Sequence, residues 1–197
     1  MNSLFLNRRF RFTGAIAVIS ALAGCQTPLQ FPTPGPNWRT GVGQLQYVTP
    51  QRSVIGEAVV SHFDRTNFQL DFVAGPGVPL MRLRQSGDAA RAEGMFARGS
   101  WQGTPARVPG RLKSWVALRD VFAALDATRA RRLTLESPDG KWIARVEQAV
   151  GQPRRISIDF PETGERFVFV FGNRLAKSAE PQDEISRGPA ASDHGGA

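Results

Sequence analysis

The chain has 197 residues, 41% hydrophobic and 21% charged, with a formal net charge of +8. Its 20 glycines and 14 prolines are too few and too aperiodic for a collagen-like or wholly low-complexity protein. One cysteine excludes a disulfide scaffold or a cysteine-cluster metal site, and two histidines leave little material for a histidine metal site or catalytic triad. No metal and no cofactor is expected from such a composition.

Residues 1–24 have the layout of a secretory signal. Arg8, Arg9 and Arg11 form a basic start, and an apolar stretch over 14–22 (GAIAVISAL) leads to small residues and Cys25. The stretch is too short for a bilayer-spanning helix, which needs ~20 residues. Leu22-Ala23-Gly24-Cys25 resembles the bacterial lipoprotein box, in which the thiol is lipidated and cleavage leaves the cysteine first; a cleaved signal with an incidental cysteine is the plainer alternative. Gln26 follows where, in that resemblance, an aspartate would retain the protein in the inner membrane. The implied destination is the periplasmic face of the outer membrane, with acyl chains giving a stable anchor. Without Arg8, Arg9 and Arg11, 22 basic and 17 acidic side chains remain, a net charge of +5. Anionic headgroups or lipopolysaccharide phosphates would answer that excess, or it is a solvated surface; no nucleic-acid partner is expected.

Residues 25–38 hold the cysteine and four prolines and predict an extended tether. Residues 39–175 form the expected domain, and 176–197, polar and aperiodic, a disordered tail. Period-two alternation predicts strands over 44–49, 54–63, 67–74, 80–85 and 89–96, with a proline-containing loop at 75–79. A loop at 99–110 precedes one helix over 112–125, whose stripe is Trp115, Leu118, Phe122 and Leu125. Strands over 132–136, 142–150, 154–160 and 166–175 follow. Five strands, a helix and four strands make a mainly β fold with a helical insertion: a curved antiparallel sheet of about nine or more strands carrying a helical plug. In the last strand Phe167, Phe169 and Phe171 face one way and Val168 and Val170 the other, so both faces are apolar.

Signals for catalysis are sparse. Gly41-Val42-Gly43 precedes a strand rather than a helix and so lacks the context for dinucleotide binding. There is no G-x-S-x-G elbow and no H-E-x-x-H pair. His62 stands near Asp64 at a strand end. Glu57, Asp64, Asp71 and Glu93 lie on predicted strands, but Glu57 and Asp71 fall on an outward polar face. An enzyme is not expected.

Three segments carry a resemblance to a known family. Residues 45–51 (LQYVTPQ), 72–83 (FVAGPGVPLMRL) and 152–158 (QPRRISI) resemble the first hairpin, a strand–glycine loop–strand and the C-terminal hairpin of the LolB-type outer-membrane lipoprotein receptors. The quoted segments make up 26 of the 137 residues in 39–175, and the third is followed by a turn and an apolar final strand, as in that family's C-terminal hairpin. The resemblance implies the unclosed β-barrel of the LolA and LolB proteins, a hollow that accepts lipoprotein acyl chains, and a periplasmic carrier of the LolA type as partner. On this reading Phe68, Leu70, Phe72, Phe122, Ile156, Ile158, Phe167, Phe169 and Phe171 line the hollow; alternatively they fill a closed core. The loop the family uses for membrane insertion corresponds to 75–79, with Pro76 near the place of its exposed leucine and Val78 close by. An acyl chain of ~16 carbons represents about 12 kcal/mol of apolar transfer, so cavity-to-cavity delivery needs no nucleophile, metal or nucleotide. The alternative function is a structural or assembly lipoprotein that binds a protein partner without lipid transfer.

Overall fold

The structure, a computed structural model, describes residues 29–75, 77–128 and 130–172. Cys25 and Pro76 therefore lie outside the described residues, as do the signal segment and the 176–197 tail. Every element below belongs to the unit that begins at Phe31.

Ten strands form one antiparallel sheet that does not close into a barrel. They are β1 (Arg39–Val48), β2 (Ser53–Phe63), β3 (Asn67–Ala74), β4 (Val78–Ser86), β5 (Ala89–Gly94), β6 (Gly99–Gly103), β7 (Arg132–Glu136), β8 (Ile143–Glu147), β9 (Arg154–Phe160) and β10 (Glu165–Phe171). Their spatial order is β6-β5-β4-β3-β2-β1-β10-β9-β8-β7. The chain starts in the middle, walks out to one edge at β6, crosses to the other edge at β7 and walks back. Between those edges runs helix α1 (Lys113–Asp126). A helix that joins the two edges of a curled sheet has to lie across one face, and its apolar stripe selects the concave one.

That face is the core. Leu45 and Tyr47, Ala58 and Val60, Phe68, Leu70 and Phe72, Leu83, Ile156 and Ile158, and Phe167 and Phe169 alternate inward along their strands and are all buried. Helix α1 meets them with Trp115, Leu118, Val121, Phe122 and Leu125. The outer face is cross-linked by charge on both arms and carries exposed Val42, Ile55 and Val59 on β1 and β2. Asp71 takes Arg82 and Arg84 from the neighbouring strand, and Asp159 takes Arg145 and Arg166 from the strands on either side. Val168 is buried although it points outward, so the last strand is covered on both sides at its middle.

The curl depends on bare backbone at two inward positions. A Cβ on Gly43 would sit 2.1 Å from the Val170 carbonyl oxygen, and one on Gly56 2.1 Å from that of Val73. Glycine lets adjacent strands fold over each other at these points, as deliberate kinks do in curved sheets.

The expected elements are present, with shifted ends. β1 starts at Arg39, so Gly41-Val42-Gly43 lies inside the strand rather than ahead of it. β6 occupies the start of the expected 99–110 loop; it is a five-residue edge strand, glycine at both ends, paired to β5 alone. Pro79 belongs to β4 instead of the loop. It pairs with Val73 beside a bulge at Phe72/Val73, and β5 joins β4 only from Arg82, so no second neighbour asks for its missing N–H.

Gly43→Val and Gly56→Val are each expected to lower stability in chemical denaturation by about 1–3 kcal/mol, the usual cost of forcing volume into a packed site. Gly110→Ala, whose added carbon meets nothing within 4 Å, is the control and should leave the midpoint in place.

Candidate functional site

The concave space is divided by α1 into a packed centre and two cavities. At the centre Trp115 is fully buried and touches four aromatic rings: Tyr47 at 4.7 Å, Phe167 at 4.8 Å, Phe96 at 5.5 Å and Phe72 at 6.1 Å between ring centroids. Tyr47 donates its hydroxyl to Glu165. Burial, and then the adjoining Glu165 carboxylate, raise the phenol well above its ordinary range. A second knot surrounds Phe122, with Phe68, Phe169 and Phe171 within 5.4–6.3 Å.

Polar contacts fix both ends of the plug. Near its start, the buried Gln85 amide on β4 donates to the Val116 carbonyl at 3.0 Å. At its end, Asp126 bridges Arg39 on β1 and His62 on β2, each at 2.9 Å. Burial alone would push the Asp126 carboxyl up, but His62 and Arg39 outweigh it and hold the group below its ordinary value. His62 thus answers Asp126 rather than the nearby Asp64. Asp64 instead stabilises its own turn, accepting from the Thr66 amide at 2.6 Å and the Asn67 amide at 3.0 Å.

The first cavity, about 550 Å³, opens where β1 and β9 begin and β2 and β10 end. Trp38, Val60, Phe122, Leu125, Ile156 and Phe171 give it apolar walls, and Arg39, His62, Asp126 and Arg154 give it a charged mouth. The second, about 740 Å³, lies along the flank of α1 that carries Ala117 and Ala124, facing Trp142, Phe160 and the 137–141 turn. Its walls are mainly apolar, and the buried Ser114 hydroxyl beside it has no hydrogen-bond partner among the described residues. Both volumes fall in the ~300–1,000 Å³ range of small-molecule sites.

Of the nine residues expected to line a hollow, Phe122, Ile156 and Phe171 border the first cavity. Phe68, Leu70, Phe72, Ile158, Phe167 and Phe169 are fully buried and border neither cavity. Val78, expected in the 75–79 loop, is instead the first residue of β4, paired with Ala74, and is 46% exposed. The tether docks earlier than its proline content suggests: the Pro32 carbonyl accepts from the Gln69 amide, and Trp38 stacks on Phe63 with centroids 6.3 Å apart. The four acids are spread over the sheet, and Asp64 borders a pocket of about 380 Å³ together with His62 and Asp126. Glu57 is exposed on the outer face, Asp71 pairs with its two arginines, Glu93 with Arg91, and Asp64 with its turn. No group of three or more histidine, cysteine, aspartate or glutamate side chains able to hold a metal occurs among the described residues. No described helix is long and apolar enough to cross a membrane.

Sequence reasoning missed the second cavity, because alanines on a helix flank carry no signal of their own. Arg154 escaped notice for a related reason: in the sequence it is one of a pair of arginines, and only the strand register turns it inward and Arg155 outward.

Asp126→Asn is expected to cost about 1 kcal/mol at neutral pH by loosening the helix end. A carboxyl held below its ordinary value stabilises the fold above that value and loses the contribution as pH falls through its folded pKa. The gap between wild-type and variant melting temperatures should therefore shrink below pH ~4. Thermal melts across pH 3–7 check this (approximate window). No protein-family model matches the sequence, and no curated protein matches it.

Proposed function

We propose that this chain is an outer-membrane lipoprotein, anchored through Cys25, that accepts the acyl chains of other lipoproteins under its open sheet and passes them to the membrane. The observation that supports this reading is the combination of an unclosed, apolar-lined sheet with a plug helix that leaves a mainly apolar space of about 740 Å³ along one flank. An acyl chain laid against Ala117, Ala124, Trp142 and Phe160 exchanges one apolar surrounding for another, so transfer from a carrier of the LolA type needs only a small difference in affinity. The buried Ser114 hydroxyl gives the ester end of such a chain a donor, and Lys113, Asp120, Asp139 and Lys141 add charge to the same lining. The exposed Val78, at the start of β4 beside the loop, is the apolar group offered to the membrane. Binding and release of this kind involve no bond-making by the protein, and we assign it no enzymatic activity.

A second reading has its own support. Six of the nine expected lining residues are closed in the core, and Val42, Ile55 and Val59 are exposed on the outer face of β1 and β2. A structural lipoprotein that binds a protein partner through that face would need no hollow.

Ala117→Trp separates the two. Its ring fills the flank cavity from a half-buried position, away from the aromatic centre. The full chain in proteoliposomes is incubated with an acylated lipoprotein held by a soluble carrier, and transferred cargo is counted. Wild-type protein should take up cargo, and Ala117→Trp should take up at least about tenfold less, a loss of ~1.4 kcal/mol or more in binding, with an unchanged melt. Equal uptake by the two overturns the assignment of this cavity, and no uptake by the wild type favours the structural reading.

A further inference from the structure

The first cavity contains a charge that the fold leaves without an answer. Arg154 projects inward from the start of β9 and is half-buried, and its guanidinium has neither a hydrogen bond nor an ion pair among the described residues. Burial lowers its affinity for its proton, and the Asp126 carboxylate acts on it only from a distance. The other half-buried arginines with stated contacts behave differently. Arg84 is bound to Asp71, and Arg119 donates to the Gly87 carbonyl at 2.7 Å. A guanidinium has five donors, and withdrawing it from water without partners is costly.

Its neighbours say what would satisfy it. Asp126 is already engaged by Arg39 and His62, so the mouth has a neutralised acid and a surplus of positive charge. Arg39 uses one terminal nitrogen on Asp126 and is 62% exposed, leaving further donors free. Behind these groups lie Phe122, Ile156 and Phe171. Cationic donors at the rim and apolar walls behind them match a molecule that is anionic at one end and aliphatic along its length.

We propose that this cavity binds a single-chain anionic amphiphile, with its phosphate or carboxylate head on Arg154 and Arg39 and its chain against Phe122, Ile156 and Phe171. The site is distinct from the flank cavity assigned above to lipoprotein acyl chains, and it stands or falls independently of that assignment.

Calorimetry of the full chain in phosphatidylcholine nanodiscs, with empty nanodiscs subtracted, tests the proposal with octyl phosphate, octanoate, octanol and inorganic phosphate as probes. Octyl phosphate or octanoate should bind at least tenfold tighter than octanol and than inorganic phosphate. Preference between the two anions identifies the head group. Arg154→Gln should abolish that advantage, Arg154→Lys should restore part of it, and Arg155→Gln, the same charge change on the outward side, should leave it intact. Because Arg154 has no partner to lose, Arg154→Gln should melt at or above the wild-type temperature, which separates loss of binding from loss of fold. Octanol binding as tightly as the anions, inorganic phosphate binding as tightly as octyl phosphate, or equal losses in Arg154→Gln and Arg155→Gln would each overturn the proposal. Ala117→Trp should bind octyl phosphate normally, so failure of the lipoprotein reading leaves this result untouched.

Discussion

Trp115 wedges between the two halves of the sheet, and the shape of the domain follows from it. Its ring touches Tyr47 on β1, Phe72 on β3 and Phe167 on β10, with Phe96 from the turn after β5. These groups come from both arms of the meander, so a single side chain joins strands far apart in the chain. Aromatic pairs at such distances add ~0.5–1.5 kcal/mol each beyond the area they bury. A sheet without this wedge has two alternatives: to flatten, exposing its inward apolar residues, or to close on itself and expel the helix. The helix keeps it open and curled at once.

The sheet is prepared for that wedge from both faces. On the inside, Gly43 and Gly56 remove the side chains that would prevent tight curling near the centre of the sheet. On the outside, two aspartates each gather two arginines, Asp71 on one arm and Asp159 on the other. Exposed ion pairs contribute little individually. Their placement still matters, because a curled strand spreads its outer side chains apart, and long arginines reaching one short acid span the gap. The basic excess noticed in the composition is thus partly structural: two arginines to each of these two aspartates.

The chain order of nine strands and the position of the helix were legible from the sequence because alternation is strict where one face is buried. In β3, Phe68, Leu70 and Phe72 are buried and Asn67, Asp71 and Val73 are half-buried between them. Gln69 breaks the pattern, being buried outward under the Pro32 carbonyl, and no local signal foretells a tether folded back on its own domain. β6 escaped because a five-residue edge strand with glycines at both ends has no period to read. The family resemblance and the alternation pointed to the same nine apolar residues, yet alternation reports only which side of the sheet a residue faces. Whether that side meets a helix or a space depends on the helix packed above it, and the difference between Phe169 and Phe171 is of this kind: same strand, same face, one under α1 and one at the cavity.

The two cavities differ because the helix is asymmetric. Protein interiors are packed as densely as organic crystals, and voids much larger than a water molecule are few. Spaces of about 550 and 740 Å³ beside an aromatic centre packed without gaps therefore call for a cause in the side chains. Along the flank that carries Ala117 and Ala124, short side chains keep the helix from reaching the strands opposite, and the result is apolar room. At the C-terminal end the large residues Phe122 and Leu125 do reach the sheet, but Asp126, the last residue of the helix, draws Arg39 and His62 to the rim, and the result is a charged mouth over an apolar floor. Leucine at 117 and 124 would close the flank cavity, and an apolar residue at 126 would remove the reason for charge at the mouth of the other. One fourteen-residue helix thus holds the sheet open and sets a different chemistry in each of two cavities.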